Sequence, residues 1–392
     1  MAESLFAGPQ HRGKRVVVTG QVGMDKGEYL DRVAQIARQN GHPCRVCTIG
    51  DMMYAEAPDV RRGRILDLPL SRLNSLRRAA FKDVLRIADH EENIIVNTHA
   101  TFRWQHGLFA SFDYDTMKAL NADLYITLVD NVDSVHQRLM RDHQTRHTLK
   151  DLMVWREEEQ LATEILANSI RGYGHFYVVA RGVERGTEQM FYRLMFEPQR
   201  KRVYPSFPMT HVMNLPDTLR IIDHFRATLA EYFITFDPGD LDEKRLHFEA
   251  IKAVQDHRSS FEVMVNEKTE TFQVADVLQI ASDIDDQIYA RDFKLIDQSD
   301  MIVSYVPELP DGMPGLSSGV ERELQHAWET TKEVYVVWEP RRDPSPFITE
   351  TCTAWFRSVD ECMQYFQQKA YIGTYQPLLL QGQAPRERGR IG

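Results

Sequence analysis

"VVVTGQVGMDKGEYL", residues 16–30, is the stretch whose reading decides the fold of the first half. The β-branched run at 15–20 predicts a short buried strand that stops at Gly20, and the chain beyond predicts a helix reaching Asn40. Between them, "GQVGMDKG" (20–27) stands where a phosphate-cradling loop belongs. The loop keeps Gly20, Gly23 and Lys26 but departs twice from the pattern G-x-x-x-x-G-K-[ST]. Asp25 replaces its second glycine, and Gly27 replaces the hydroxyl that would hold Mg²⁺. A carboxylate 4 Å from a phosphate is repelled by about 1–4 kcal/mol, depending on the local dielectric. The loop therefore predicts weakened or absent phosphotransfer, and leaves open nucleotide binding or a purely supporting role for this half.

Outward from this loop, strands and helices alternate. "CRVCTIGD", "NIIVNTH" (93–99) and "LYITLVD" (124–130) predict further strands, and "SRLNSLRRAAFKDVLRIADH" predicts a long amphipathic helix. Such alternation implies a parallel sheet covered by helices. A second α/β pattern starts after "MFEPQRKR" (195–202). It has strands at 202–210, "FITFDP", "DMIVSYVP" and "EVYVVWEP", and helices at "LPDTLRIIDHFRATLAEY", "RDFKLIDQ" and "SGVERELQHAWETTK". The expected organisation is an extension (1–14), a first domain (15–195), a second domain (200–372) and a tail (373–392).

Composition bounds the function. A chain of 392 residues, 43% hydrophobic and 27% charged, suits two ordinary cores. A net charge of −10 argues against general nucleic-acid binding, which needs a basic footprint. No apolar run approaches a membrane span, and the start lacks a secretory pattern, so a cytoplasmic protein without membrane partners is expected. Cys44 and Cys47 lie three apart on a predicted strand and point to opposite faces, which disfavours a metal site. Cys352 and Cys362 are expected as packed thiols in a helical region.

"LSSGVERELQHAW" (316–328) carries the second chemical signal. Glu323 follows Gly319 by four positions at a loop-to-helix junction, with Leu324 and Ala327 on one helical face. It is either a solvated first-turn carboxylate favoured by the helix dipole or a nucleophile aimed into a pocket. The preceding "YVPELPDGMPGLSSG" (305–319) is rich in proline and glycine and suggests a lid.

Residues 15 to about 185 resemble the archaeal-type adenylate kinases through "VVVTGQVGMDKGEYL", "IGDMM", "LNSLRRAAFKDV", "VNTHATFR" and "HQRLMRDHQTR", in order and spacing. The resemblance implies a P-loop kinase-like domain with ATP or another nucleotide as ligand. It implies that Arg77, Arg78 and Arg103 hold a nucleoside monophosphate and that Arg138, Arg141 and Arg146 fall in a short lid. Asn97 stands where that family has an acid near the metal, a third weakening of Mg²⁺ handling.

Residues 202 to about 370 resemble the nucleoside 2-deoxyribosyltransferases and their deoxynucleoside 5′-monophosphate N-glycosidase branch, through "VYPSFP", "RDFKLIDQSDMIVSYV" and "SSGVEREL". That likeness implies a Rossmann-like (flavodoxin-like) α/β domain. It implies Glu323 as nucleophile at C1′, Asp292 acting on the base and Tyr204 holding the nucleophile. Ser206, Ser317, Ser318 and Gly319 are the implied substrate contacts. Ser317 stands where enzymes of free nucleosides carry an acid, which suits a 5′-phosphate; Asp311 is a second candidate for gripping a 5′-hydroxyl. No cofactor or metal is expected for this chemistry, and a homo-oligomer is. The combined expectation is an N-glycosidase or deoxyribosyltransferase fused to a degenerate kinase module. The alternatives are an active kinase with a passenger domain and a non-catalytic nucleotide sensor.

Overall fold

A computed structural model describes residues 13–104, 107–142, 147–182, 186–209 and 212–378. Among them the chain runs β1 (Arg15–Thr19), α1 (Lys26–Gln39), β2 (Cys44–Thr48), α2 (Ile49–Glu56), α3 (Leu70–Ala88), β3 (Asn93–Asn97), β4 (Thr101–Trp104), β5 (Gly107–Ala110), α4 (Tyr114–Leu120) and β6 (Leu124–Val129). It continues with α5 (Val132–Arg141), α6 (Leu149–Arg171), β7 (Phe176–Ala180), α7 (Glu188–Phe196), β8 (Arg202–Ser206), α8 (Pro216–Tyr232), β9 (Ile234–Thr235), α9 (Lys244–Gln255), β10 (Ser260–Val265) and β11 (Lys268–Gln273). It closes with α10 (Val274–Gln279), α11 (Ala281–Asp297), β12 (Met301–Val306), α12 (Ser318–Glu329), β13 (Glu333–Trp338), α13 (Pro346–Thr349), β14 (Ala354–Phe356) and α14 (Val359–Gln368).

Two compact units form. The first joins the chain up to Glu197 with Asp240–Ile288, and the second joins Pro198–Gly239 with the chain from Tyr289 onward. In the first, a parallel sheet has the order β2-β3-β1-β6-β7. Side chains alternate across a sheet. Val17, Ile94, Val96 and Tyr125 therefore share one face, in a core with Phe81 and Val84 of α3. Val16, Val18, Ile95 and Ile126 are buried on the other.

Residues 240–288, expected as part of a contiguous second domain, pack with the first unit. The reason is non-local. Arg156 on α6 grips Glu243 with two nitrogens, at 2.7 and 3.0 Å, and the Val132 amide donates to the same carboxylate at 2.8 Å. Both charged side chains are buried, so the pair is stable only with both members present. Leu241 packs beside Val129 and Val178.

In the second unit the parallel order is β14-β13-β12-β8-β9. Chain direction across the sheet reverses between β8 and β12, the kind of crevice where open α/β sheets place ligands. One face holds Val203, Met301, Val303 and Tyr335, packed with Phe225 of α8 and Phe366 of α14. Tyr204, Ser206, Ile302 and Ser304 occupy the opposite face by alternation. Helix α12 packs against β12 and β13 through its buried Val320, Leu324 and Ala327, none of which joins the first face's core.

Two antiparallel hairpins, β4–β5 and β10–β11, have no counterpart in the sequence expectation. Cys352 lies in the turn after α13 rather than in a helix, while Cys362 is buried within α14. Among the described residues, no helix is long and apolar enough to cross a membrane.

Candidate functional site

Each unit has a candidate site, at the C-terminal ends of its strands. In the first, the chain leaves β1 at Thr19 and enters α1 at Lys26. Gly20 has φ 140°, and a Cβ there would stand 2.8 Å from the Leu128 carbonyl oxygen. Gly23, at φ 88°, lets α5 approach: a Cβ would meet Leu139 Cγ at 2.9 Å. Asp25 takes φ 47° and ψ 43°, the left-handed conformation that glycine adopts freely and aspartate tolerates better than most residues. The loop thus keeps a glycine-like backbone while gaining a carboxylate.

That carboxylate is engaged. Arg141 reaches it at 3.2 Å and Arg138 at 4.0 Å, so the repulsion expected toward a phosphate is partly offset by guanidinium charge. Arg138 also binds Asp130 at 2.7 Å and donates to the Gly23 carbonyl at 3.2 Å. Lys26, buried, donates to the Gly20 carbonyl at 2.6 Å and lies 3.3 Å from His99 Nδ1. Burial pushes the Lys26 ammonium down to about 8, opposed by Glu159. Burial, with Lys26 nearby, holds His99 well below its ordinary value. Glu159 is fully buried and accepts from the amides of Gly20 (3.1 Å), Ala100 (2.7 Å) and Thr101 (2.9 Å), tying the loop to the end of β3. His99 and Glu159 were missed in the sequence. Glu159 was findable, because within "REEEQ" it alone of the three glutamates falls on the helical face shared with Leu152, Trp155 and Leu166.

The remaining kinase-type arginines are also partnered. Arg77, buried on α3, donates to the Ala110 carbonyl at 2.7 Å and to Asn74 at 2.9 Å. Arg78 is exposed, 3.6 Å from Asp113, and Arg103 on β4 pairs with Glu158 at 2.7 Å. Arg138 and Arg141 lie on α5 itself rather than in a lid loop, and Arg146 lies outside the described residues. The donor set does not fit Mg²⁺. Position 27 offers no side chain although a Cβ there would meet nothing within 4 Å, and Asn97, neutral, points its amide at Thr48 Oγ1 (3.4 Å). Among the described residues, no group of three or more potential metal ligands occurs.

In the second unit, Tyr204 and Ser206 sit two apart on β8, so both project to the face under α12. The Tyr204 hydroxyl donates to Glu323 Oε1 at 2.9 Å and Ser206 donates to Oε2 at 2.6 Å. Both donors are buried. Ser206, expected as a substrate contact, here orients the glutamate. Burial pushes the Glu323 carboxyl up to about 8; the Ser206 and Tyr204 hydrogen bonds act against this, and the Asp292 charge acts with it. Asp292 itself is pushed up by burial, opposed by Arg291, whose Nε lies 3.4 Å from Oδ1. Burial first, then both carboxylates, raises the Tyr204 phenol well above its usual range. The structure thus brings together Tyr204, Ser206, Asp292 and Glu323, two acids coupled through a low-dielectric space.

Ser317 caps α12, accepting from the Val320 amide at 3.2 Å, while Ser318 and Gly319 are exposed in the first turn. Asp311 is exposed and turns onto the Met313 amide at 3.0 Å. Its loop is a tight turn closed by a bridge between Glu308 and Pro314 and by the Gly315 amide on the Pro307 carbonyl at 2.8 Å.

Comparisons with known proteins bear on the first site. Residues 19–155 match a family described as an AAA domain. The adenylate kinase of Pyrococcus furiosus is 23% identical over 179 residues, 44% of this chain and 89% of that protein. The adenylate kinase of Pyrococcus horikoshii is 26% identical over 131 residues, 32% of this chain and 65% of its own length. A shikimate kinase structure from Bacteroides thetaiotaomicron aligns with a TM-score of 0.33 at 14% identity, covering 47% of this chain and 97% of that one. The N-terminal region resembles P-loop kinases.

Proposed function

We propose that the second unit cleaves the N-glycosidic bond of a nucleoside 5′-monophosphate or nucleoside. The observation that carries this is Glu323, held by two buried hydroxyl donors where the strand order switches between β8 and β12, with Asp292 as its acidic neighbour. Glu323 forms a bond to C1′ as the C1′–N bond breaks, and the departing base nitrogen takes the bonding pair and a proton from Asp292. Water then attacks C1′, returns a proton to Asp292 and frees Glu323; an acceptor base in place of water gives transfer. The sugar passes through an oxocarbenium-like state whose positive charge favours ionised Glu323 exactly when burial alone would keep it protonated. The active pair therefore holds one proton between two carboxyls. The first turn of α12, where Ser318 and Gly319 are exposed and Ser317 takes the Val320 amide, is where a 5′-phosphate would bind. The test is incubation with a panel of nucleosides and 5′-monophosphates, read for free base by chromatography; release from none of them would overturn the reading.

For the first unit, the likeness to adenylate kinases supports nucleotide binding. The engaged Asp25, the bare position 27 and Asn97 support weak or absent phosphotransfer.

A further inference from the structure

Three polar atoms on the α12 side of the second sheet are buried with no hydrogen-bond partner: Arg291 Nε, Asp292 Oδ1 and Ser304 Oγ. Ser304 on β12 is the register partner of Ser206 on β8, so its hydroxyl shares the face that presents Ser206 to Glu323. Ser304 Oγ is thus left unsatisfied beside the hydroxyl that holds Glu323, at a cost of about 1–3 kcal/mol, while Arg291 Nε and Asp292 Oδ1 have only each other, in an ion pair. Arg291 was passed over in the sequence. Its side chain is 12% exposed and that of Asp292 17%, and the two stand 3.4 Å apart in an ion pair that lacks hydrogen-bond geometry. A guanidinium that close steadies the charged carboxylate without fixing its orientation, leaving Oδ1 able to turn to a ligand.

We infer that Arg291 is a positioning residue that decides which of the two carboxyls, Asp292 or Glu323, holds their shared proton. This rests on the glycosidase reading for its meaning but not for its test. Facing Asp292 are Arg291 on its own helix, Tyr204 on β8 and Glu323 on α12. Of these only Arg291 is cationic. It favours the charged form of Asp292, and charged Asp292 in turn favours the protonated form of Glu323. With Arg291 in place the pair's proton is thus biased toward Glu323, the arrangement that disfavours attack at C1′. Without Arg291 the proton moves toward Asp292 and Glu323 is the freer anion. The guanidinium therefore keeps the nucleophile quiet until a ligand turns Asp292 away from it. Sign follows: an opposite charge within about 4–6 Å lowers a carboxyl pKa by about 1–3 units, so its removal moves the first protonation of the pair to higher pH.

The experiment is a carboxyl ¹³C NMR titration of the full chain, with Asp292 and Glu323 assigned by difference against Asp292→Asn and Glu323→Gln, in wild type, Arg291→Gln and Arg291→Lys. The Asp292 midpoint should rise by at least about one pH unit in Arg291→Gln and stay close to wild type in Arg291→Lys. Where base release is measurable, the acid limb of kcat/KM should move the same way. Should Arg291→Gln not fold, Arg291→Met keeps the apolar stem and is expected to give the same rise. An unchanged midpoint in a folded Gln or Met variant, or an equal rise in Arg291→Lys, overturns the inference whether or not base is released. A shifted midpoint in a protein that releases no base overturns the glycosidase reading and leaves the inference standing.

Discussion

The two strand-end sites handle charge in opposite ways. At the loop after β1, Lys26, Arg138 and Arg141 end on oxygens of the protein: the Gly20 and Gly23 carbonyls, Asp130 and Asp25. At the ends of β8 and β12, a carboxylate is held by neutral hydroxyls and a second carboxylate acts on it electrostatically. A site whose cations are already neutralised gains little from binding another anion. A site with two raised carboxyls gains from a ligand that takes up charge from either of them. The difference teaches that the recognisable motif and the reactive group need not coincide: both sites hold shifted buried groups, but in the first they are a lysine and a histidine tied into the protein's own loop, whereas in the second they are two acids.

The comparison can be broken from either end. The largest effect short of removing the nucleophile should come from Tyr204→Phe, which deletes one donor to Glu323 and keeps the ring. Hydrogen bonds to charged groups contribute about 1.5–3 kcal/mol, so kcat/KM for base release should fall about 10- to 100-fold. A rate within twofold of wild type would mean that the hydroxyl only packs.

Asp25→Asn should sharpen the contrast from the other side. It removes a negative charge from the loop and leaves Arg141 paired with Asp142 alone, and a gain of about tenfold in ATP affinity by calorimetry is expected. Phosphotransfer to AMP in a coupled assay should remain weak, because Gly27 and Asn97 are unchanged. Robust Lys26-dependent ADP formation by the wild type would reverse the ranking of the two units.

Ser317→Asp tests the phosphate preference. Aspartate caps a helix as well as serine does, so α12 should persist while its first turn gains a charge that repels a phosphate dianion. The kcat/KM for a monophosphate should drop about tenfold with the matched nucleoside spared. A wild type that prefers the nucleoside, with that preference lost in Asp311→Ala, would assign the 5′ contact to Asp311.

Much of this contrast was legible in the sequence, and its gaps have physical causes. The central strands of both sheets announce themselves as apolar, β-branched runs, and the loop after β1 by its glycines and lysine; the edge strands β7 and β14 were not expected, and the three residues of β14 include no β-branched one. Tyr204, Asp292 and Glu323 were named from family likeness, and the structure brings them together. The membership of 240–288 was not legible, because it depends on Arg156 and Glu243, 87 residues apart. The hairpin β10–β11 carried a local signal in its alternation and in the turn at Asn266 and Glu267, both at positive φ. The engagement of Asp25 by Arg141 was hidden for the same reason as the buried Arg156 pair: helix packing, not spacing, sets it.

The smallest effect concerns stability. Glu323 is pushed up to about 8 from an ordinary value of 4.5, so the folded state binds more protons than the unfolded one between those values. That difference lowers stability as pH rises through the window. Glu323→Gln removes the pH-dependent penalty, so its stability relative to wild type should be greatest at pH 8 and fall toward pH 4.5, as read by denaturant midpoints. An equal gain at both ends would assign it to packing.

The most direct measurement compares wild type with Glu323→Ala for free base released from the nucleoside and 5′-monophosphate panel, with circular dichroism confirming that both are folded. Base release by the wild type and a loss of at least about 10³-fold in the variant are expected, the scale seen when a nucleophile is removed. Release by Glu323→Ala at the wild-type rate would contradict the account, since it would leave Glu323 a buried carboxylate with no part in the chemistry.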